Sequence, residues 1–508
     1  MAGTAHTLSP CAALAHGAAA KPPRCGDDDR PGLSSVARAV VSYRAFGARR
    51  GGEVRGFGGA GTRRSVAASE ILRDPRSAHA LLWRHGLPRN RTARGSPILR
   101  PRAHPLWGRA RSDYPCRSVT APSTNAPTDP ATLVLDSAVA PRFAHRVRFT
   151  RGLLDAGNPA FVDALAGDAD IAARRAVVVI DDGLARADPS LADRLRAYFA
   201  AHAARLPAIC DIVTVHGGEP AKHDTRVADL VVDLVDRHRI DRKSFVIAIG
   251  GGAVLDAAGY GAAIAHRGVR LVRVPTTVLA QDDAAMGVKN GINRFGKKNF
   301  VGAFAVPYAV LCDELLLASL PDAVFRAGFS EAVKIALLKD PAYFAAIEAT
   351  ASRIAARDLD AASPVIRRSA ELHLRHIVDG GDPFEANEAR PLDFGHWAAH
   401  RLESMSGYAL SHGDAVALGL LLDCRYANLK GWLADADHAR IRACIAALGL
   451  PVRHALLAES GPLLAGLEEF REHLGGRLTI TMLRGIGRGF EVHELDHALV
   501  GQAAAELA

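Results

Sequence analysis

Residues 244–268 read SFVIAIGGGAVLDAAGYGAAIAHRG, an apolar run that stops at three consecutive glycines and continues as an alanine-rich segment. An uninterrupted apolar run of this length is typical of a strand that is buried on both faces of a parallel sheet. Gly250, Gly251 and Gly252 predict a tight turn into a helix, whose free N–H groups and dipole can receive a pyrophosphate. These three glycines do not form the GxGxxG fingerprint of ordinary Rossmann domains. A tight turn that binds no ligand therefore stays an equal alternative to a pyrophosphate-binding turn.

The segments on either side repeat this alternation of strand and helix. Helical spacing, as in LADRLRAYFAAHA at 191–203, separates the apolar runs from one another. Strands that alternate with helices predict a doubly wound parallel sheet. The further predicted strands are RRAVVVIDDGL at 174–184, CDIVTVHGGE at 210–219 and VRLVRVPTT at 269–277.

After about Leu320 the strand pattern fades and long segments with helical spacing follow. We therefore predict an α/β fold with a doubly wound parallel-sheet nucleotide-binding domain over 145–318 and an all-α domain over 319–508. A ligand site is expected in the crevice between the two. The predicted helical segments are 323–338, 363–378, 395–405, 413–433 and 436–449.

Composition excludes several classes of protein. Hydrophobic residues make up 49% and charged residues 23% of the chain, as in globular proteins, and no apolar run reaches the eighteen residues of a membrane span. The seven cysteines are scattered and never form a CxxC pair. This pattern argues against a disulfide framework and favours a reducing cytoplasm.

The net charge of +9 is distributed unevenly along the chain. Residues 1–120 contain 20 Arg, one Lys and seven acidic residues, a net charge of +14, so the remainder carries −5. Residues 1–125 show no sustained period and are rich in Arg, Gly and Ala, so we expect a disordered segment or an upstream reading frame translated from GC-rich DNA. A nucleic-acid-binding tail and a targeting peptide are weaker alternatives, because Lys, aromatic residues and an apolar h-region are scarce there.

The stretch from Gly250 to Phe304 resembles the core of the dehydroquinate synthases and related sugar-phosphate cyclases. It reads GGGAVLDAAGYGAAIAHRGVRLVRVPTTVLAQDDAAMGVKNGINRFGKKNFVGAF, and the resemblance extends from about Val147 to Arg484. It implies NAD as a cofactor. Without the resemblance, each acidic residue in these motifs would be interpreted as a turn or cap residue. The positions implied to contact NAD are Asp181, Glu219, Lys222, Gly250, Gly251, Gly252, Asp256, Thr276, Thr277, Asp283, Lys289 and Lys298.

The same resemblance implies a divalent metal, Zn²⁺ or Co²⁺. A catalytic metal needs three nitrogen or oxygen ligands and an open position for substrate or water. GFSEAVK, LDFGHWAAH and SHGDAV supply Glu331, His396 and His412, in the order of the family's Glu/His/His triad. HWAAH also has the histidine spacing of a zinc-protease helix, but Trp397 stands where that mechanism needs Glu.

Several cations and hydrogen-bonding residues match family positions around the substrate. Lys334 follows Glu331 by three residues, so one helix face can present both a metal ligand and a cation. His400, one turn after His396, is expected to relay a proton. The substrate-binding positions implied are Asp283, Lys289, Asn299, Lys334 and Arg267, and the catalytic ones Lys289, Lys334, His400, Arg267 and Asp393.

The resemblance implies one reaction cycle on a heptulose 7-phosphate. NAD oxidises a secondary alcohol, phosphate leaves by β-elimination, and the hydride returns to the substrate, so the cofactor is not consumed. Ring opening and an intramolecular aldol closure then give a carbocycle. The protein mainly supplies alignment and charge stabilisation.

Three positions depart from the dehydroquinate synthase pattern. Asp393 replaces the Asn that precedes the first metal histidine by three residues, and Ala389 stands where the substrate carboxylate's arginine is expected, with Arg390 one residue away. The family's lysine in the preceding helix has no clear counterpart unless Arg375 serves. An acidic Asp393 would repel a carboxylated substrate and accept a hydrogen bond from a hydroxyl-rich one.

Asp393 resembles cyclases that use sedoheptulose 7-phosphate, such as 2-epi-5-epi-valiolone synthases, and GVKNGIN resembles the branch found in bacterial ebo-type clusters. We therefore predict a non-shikimate cyclase. Genuine 3-dehydroquinate synthase, a glycerol-dehydrogenase-like polyol oxidoreductase and a non-catalytic binding protein stay as alternatives. The expected partners are a small-molecule sugar phosphate and, from the resemblance, a second copy in a homodimer, with no nucleic acid and no membrane.

Overall fold

The computed structural model describes residue 137 and residues 141–295, 297–380, 384, 391–473 and 476–508. The extension predicted over 1–125 lies outside the described residues, and so do Ala389 and Arg390. Within the described part of the chain, no helix has the length and apolar character that crossing a membrane requires.

Six parallel strands form the main sheet in the order β1-β8-β5-β4-β2-β3. The order is not sequential, so helices connect the strands across both faces, as in a doubly wound sheet. This confirms the predicted α/β class. The strands are β1 Val147–Thr150, β2 Arg175–Asp181, β3 Ala208–Val215, β4 Phe245–Gly250, β5 Arg270–Pro275 and β8 Ala309–Asp313.

Both faces of the central strands are buried, which explains their uninterrupted apolar runs. In β2, Ala176, Val178 and Ile180 face one side and Val177 and Val179 the other, following the two-residue period of a strand. Helices cover each face. Those of the α/β half are α1 Ala160–Leu165, α2 Asp182–Ala187, α3 Leu191–Ala201, α4 Arg226–Arg237 and α5 Gly252–Ile264.

A helical half follows the sheet and has its own apolar core. The predicted helix over 323–338 is divided at Gly328, where an added Cβ would lie 2.5 Å from the Leu279 nitrogen. This close approach joins the helical half to the segment after β5. Its helices are α6 Asp322–Ala327, α7 Phe329–Lys339, α8 Pro341–Ala355, α9 Leu359–Asp379, α10 His396–Met405, α11 His412–Leu429, α12 Asp435–Ala447, α13 Ser460–His473 and α14 His497–Ala505.

Two antiparallel hairpins were not predicted. β6 Lys289–Arg294 pairs with β7 Lys297–Phe304 beside α5. β9 Ile480–Leu483 pairs with β10 Gly489–Val492, so the helical half is not entirely α-helical. The first hairpin could not be predicted from an apolar pattern, because the polar residues Asn290 and Asn293 occupy buried positions in β6.

Candidate metal and nucleotide site

Glu331, His396 and His412 converge on one point. Each lies in the first turn of a helix, in α7, α10 and α11 respectively. Glu331 Oε1 is 3.4 Å from His396 Nε2 and 3.6 Å from His412 Nε2, and potential ligand atoms of the three residues lie within 4.8 Å of one another. The predicted triad is therefore assembled by the fold.

The surroundings of the triad match the donor set of a metal. His396 Nδ1 donates to the Phe394 carbonyl at 3.0 Å, and His412 Nδ1 contacts Glu403 Oε2 at 3.1 Å. These contacts occupy Nδ1 and leave Nε2 of both rings directed at Glu331, as in histidines that bind metals. Glu331 Oε1 is buried without a hydrogen-bond partner among the described residues. The residues therefore fit a divalent cation.

Glu403 and His412 shift each other's pKa. Burial opposes ionisation of Glu403, but His412 and Lys298 lower its pKa to about 2. Burial likewise opposes protonation of His412, yet the carboxylates of Glu403 and Glu331 raise its pKa to about 9. A metal bound at this place would displace that proton.

Asp423 fixes the turn from which His396 projects. Its carboxylate accepts hydrogen bonds from the Gly395 nitrogen at 3.0 Å and from Trp397 Nε1 at 2.9 Å. Gly395 has a φ of 76°, and an added Cβ would lie 2.8 Å from the Leu420 nitrogen, so glycine is required there. Burial raises the pKa of Asp423 to about 7.

Replacing Asp423 by leucine is expected to lower the free energy of unfolding by about 2–5 kcal/mol, because two buried N–H groups lose their acceptor. Urea denaturation followed by circular dichroism measures the change. Asp233→Leu, at an exposed position of α4, is the control and should change the free energy by less than about 0.5 kcal/mol. Equal effects of the two substitutions would contradict this role.

Lys334 places a buried cation beside the triad. Its ammonium contacts Glu331 Oε2, and the side chain is 4% exposed. Burial disfavours the charged form, but Glu331 and Asp283, together with Asp393, raise the pKa of Lys334. Lys334 therefore lies against Glu331, and Asp393 lies close enough to Lys334 to affect its charge.

His373, and not Arg375, lies against Asp283. His373 Nδ1 lies 2.7 Å from Asp283 Oδ1, with only 13% of the His373 side chain exposed. Arg375 is 61% exposed and pairs with Glu371 at 2.5 Å on the outer face of α9. Arg375, considered above as a counterpart of the family's lysine, thus pairs with Glu371, and α9 presents His373 to Asp283 instead.

A hydrogen-bonded network surrounds the other predicted nucleotide residues. Lys222 Nζ donates to Asp256 at 2.7 Å and also contacts Asn299 Oδ1. Glu219 accepts a 2.6 Å hydrogen bond from Asn293, a residue of β6. The hairpin β6–β7 thereby holds the turn at Glu219–Lys222 in place.

Lys298, in β7, reaches across to the helical half. Its ammonium is 2.6 Å from Glu403 Oε1 and 3.7 Å from Glu219 Oε1. Glu403 was not predicted, although a sign of it was available: residues 396, 400 and 403 are spaced i, i+4, i+7 and so share one helix face. The His400 ring accordingly lies 5.5 Å from that of His396 and 5.9 Å from that of His412.

The glycine turn lies at the carboxyl edge of the sheet. Gly250 ends β4, its carbonyl accepts from the Thr276 nitrogen at 3.0 Å, and Gly252 begins α5. An added Cβ on Gly251 would lie 3.2 Å from Thr277 Cγ2. Asp181 caps α2 through the Gly183 nitrogen at 2.8 Å. These predicted residues meet at one edge, where doubly wound folds bind nucleotides.

Arg267 is not brought to this site within the chain. It is exposed and follows the carboxyl end of α5, about 20 Å from the glycine turn at 1.5 Å per residue. The predicted roles of Arg267 in catalysis and substrate binding are therefore not supported within one chain. Lys289 is exposed at the start of β6.

Comparisons with known proteins agree with this geometry. Residues 212–327 match the family model described as 3-dehydroquinate synthase N-terminal, and residues 328–466 match 3-dehydroquinate synthase C-terminal. The 3-dehydroquinate synthase of Paracoccus denitrificans is 36% identical over 373 residues, which cover 72% of this chain and 96% of that protein. The enzyme of the same name from Halorhodospira halophila is 37% identical over 283 residues, covering 54% and 77%.

Two solved structures share the fold. The 2-epi-5-epi-valiolone synthase of Streptomyces hygroscopicus subsp. jinggangensis, with NAD⁺ and Zn²⁺ bound, is 28% identical with a TM-score of 0.66 and covers 73% of this chain and 99% of its own. A 2-deoxy-scyllo-inosose synthase complexed with carbaglucose-6-phosphate, NAD⁺ and Co²⁺ is 20% identical with a TM-score of 0.57, covering 71% and 96%. The second likeness bears on the fold alone.

Proposed function

Because this chain belongs to the 3-dehydroquinate synthase family, we propose that it is an NAD- and metal-dependent sugar-phosphate cyclase. It would convert a heptulose 7-phosphate to a carbocycle with loss of phosphate. The observation that carries this proposal is the convergence of the buried Glu331 with His396 and the partly exposed His412, with Lys334 in contact with Glu331. A carboxylate, two imidazoles and an ammonium in one place are what a charged, oxygen-rich substrate on a metal requires.

The residues present have distinct tasks in this proposal. When bound, NAD would accept and return a hydride, and Zn²⁺ or Co²⁺ would polarise a substrate oxygen. Glu331, His396 and His412 would hold the metal. The glycine turn at 250–252 and the network around Glu219 and Lys222 would hold the nucleotide.

Cations and a histidine would act on the substrate itself. Lys334 Nζ, charged and almost fully buried, would donate to anionic oxygens of the substrate, where a low dielectric strengthens the interaction. Asn299, next to Lys298 on β7, would donate to the phosphate or a hydroxyl group. His400, stacked beside His412, would accept or return a proton at a ring nitrogen.

The preferred substrate is sedoheptulose 7-phosphate. Asp393 contributes to the negative charge around Lys334, and the carboxylate of Asp283 lies 2.7 Å from His373 Nδ1. Such a lining suits a hydroxylated chain end and disfavours a carboxylate. The 2-epi-5-epi-valiolone synthase likeness over 73% of this chain supports the same choice.

A second candidate is 3-dehydroquinate synthase activity. It is favoured by the relatives with 36% and 37% identity, which carry that name. The two candidates share the cofactor, the metal and the cyclisation, and differ in whether the substrate carries a carboxylate.

Phosphate release without net NADH formation tests the proposed reaction class. The purified protein is incubated with NAD⁺, Co²⁺ and each heptulose 7-phosphate, while inorganic phosphate and absorbance at about 340 nm, the NADH band, are followed together. A cyclase releases phosphate over many turnovers and accumulates no NADH. Accumulation of NADH without phosphate would instead identify a polyol oxidoreductase and contradict the proposal.

Asp393→Asn is expected to shift substrate selectivity towards 3-deoxy-arabino-heptulosonate 7-phosphate by about 10–100-fold, because a like charge facing its carboxylate is removed. The measure is the ratio of kcat/KM for the two heptulose phosphates. Asp379→Asn, at the exposed end of α9, removes the same charge at a distance and should leave the ratio unchanged. An unchanged ratio in Asp393→Asn would show that Asp393 does not select the substrate.

A further inference from the structure

Glu403 connects the metal triad with the nucleotide-binding half of the site. It lies in α10, 3% exposed, and uses both carboxylate oxygens. Oε2 contacts Nδ1 of His412 at 3.1 Å, and Oε1 lies 2.6 Å from Nζ of Lys298. One side chain thus orients a metal ligand and holds a lysine that belongs to the other half of the molecule.

Lys298 continues this connection into the nucleotide-binding residues. Its ammonium lies 3.7 Å from Glu219 Oε1, which also accepts from Asn293 of the same hairpin. The neighbouring Asn299 receives a contact from Lys222 and binds Asn293 Oδ1 through its backbone nitrogen. A continuous series of polar contacts therefore runs from Glu219 through Lys298 and Glu403 to His412.

A purely structural ion pair does not account for this arrangement. Glu314 is an equally buried carboxylate bound by Arg151 and Arg367, and among the described residues neither arginine pairs with a residue of the triad. Glu403 instead divides its two oxygens between a metal-directed imidazole and a hairpin lysine. Moving Lys298 would leave Glu403 buried with an unpaired oxygen, so the positions of His412 and of the hairpin depend on each other.

We propose that Lys298 and Glu403 are positioning residues that couple binding of the divalent metal to binding of the nicotinamide cofactor. The inference rests on the proposed function, since it assumes that both ligands bind. Metal binding orders His412 and with it Glu403, while cofactor binding orders the hairpin and with it Lys298. The ligand that binds first therefore loses part of its binding free energy to the ordering of Lys298 and Glu403. Because these side chains are then already ordered, the second ligand binds more tightly.

Equilibrium binding to the metal-free protein measures the coupling. Isothermal titration gives the Kd for NAD⁺ with and without saturating Co²⁺, and the Kd for Co²⁺ with and without saturating NAD⁺. We expect each ligand to tighten the other by the same factor, about 10-fold, since linkage is reciprocal. The visible absorption spectrum of bound Co²⁺ reports independently on the ligands around the ion.

Substitutions of Lys298 and Glu403 test whether these two residues carry the coupling between NAD⁺ and Co²⁺ binding. In Lys298→Met and in Glu403→Gln the factor should fall below about 2-fold, and the double substitution should lower it no further, as expected of one shared interaction. Glu403→Gln alone should also weaken Co²⁺ binding about 10–100-fold, whereas Lys298→Arg should retain most of the coupling. Lys297→Met is the matched control, because Lys297 lies on the same strand and its ammonium is 3.8 Å from the exposed Glu472.

The outcomes are distinguishable. Independent binding of NAD⁺ and Co²⁺ to the unsubstituted protein would overturn the inference and leave the proposed function intact. So would coupling that persists in both Lys298→Met and Glu403→Gln. A protein that binds neither ligand would overturn the proposed function and this inference together. Circular dichroism confirms that each variant is folded, and the unsubstituted protein decides the question even if a variant is not.

Discussion

Replacing Glu331 by glutamine is expected to raise the Kd for Co²⁺ more than about 100-fold, because loss of an outer partner of a ligand already costs 10–100-fold. Phosphate release should fall at least as far. Glutamine keeps the size of the side chain but removes the charge that faces two imidazoles and Lys334. Isothermal titration of the metal-free protein with Co²⁺ measures the change.

Glu314→Gln is the control for Glu331→Gln. Glu314 is buried to a similar degree, and its ion pairs are with Arg151 and Arg367 instead of site residues. Its substitution should affect stability and leave the Kd for Co²⁺ within about 2-fold of the original value. Co²⁺ binding of ordinary strength in Glu331→Gln would show that the triad is not the metal site.

Asp282→Asn is expected to stabilise the protein by more than about 1 kcal/mol at pH 7, since each unit of pKa shift corresponds to about 1.4 kcal/mol. Asp282 is fully buried, and neither of its carboxylate oxygens has a hydrogen-bond partner among the described residues. Burial, with Asp283 and Glu331 nearby, raises its pKa well above the ordinary 3.8. Holding such a group neutral at pH 7 consumes folding free energy, which a neutral amide of the same shape does not.

The gain in stability from Asp282→Asn is expected to increase with pH. Because the pKa of Asp282 is raised on folding, its penalty is absent below about pH 4, where the unfolded chain is also protonated, and grows as the pH rises towards 7. The gain from Asp282→Asn, measured by urea denaturation, should therefore be near zero at pH 4 and largest near pH 7. Asp340→Asn should have the opposite sign, because Arg368 lowers the pKa of Asp340. A gain for Asp282→Asn that did not depend on pH would contradict this explanation.

Much of the fold could be predicted because the sheet is buried on both faces. β2 and β4 contain uninterrupted apolar runs, at 176–180 and 245–249, and the glycines after β4 mark the turn into α5. β5 is apolar except for Arg270 and Arg273. The hairpin β6–β7 could not be predicted from polarity, because its buried positions are filled by asparagines. Asn290, for example, accepts from the fully buried Arg273 at 2.8 Å, a contact that only the folded chain creates.

Site residues could be predicted where they belong to short sequence motifs. They could not be predicted where the rotation of a helix decides which side chain faces the site. Glu331, His396 and His412 each begin or nearly begin a helix within a recognisable motif, so their convergence could be predicted. His373 and Arg375 are two residues apart on α9, and the sequence does not show which of them faces the site. Arg267 matches a family position, yet the path of α5 carries it to the far end of the sheet.

The protein that we propose is a cyclase whose substrate carries hydroxyl groups, and not a carboxylate, at the end that faces Asp393. The most direct test is kcat/KM for phosphate release from sedoheptulose 7-phosphate and from 3-deoxy-arabino-heptulosonate 7-phosphate, with NAD⁺ and Co²⁺ present. The acidic Asp393 and the Asp283–His373 pair lead us to expect a preference for sedoheptulose 7-phosphate of about 100-fold or more. Phosphate release from 3-deoxy-arabino-heptulosonate 7-phosphate alone would contradict the claim and identify a 3-dehydroquinate synthase.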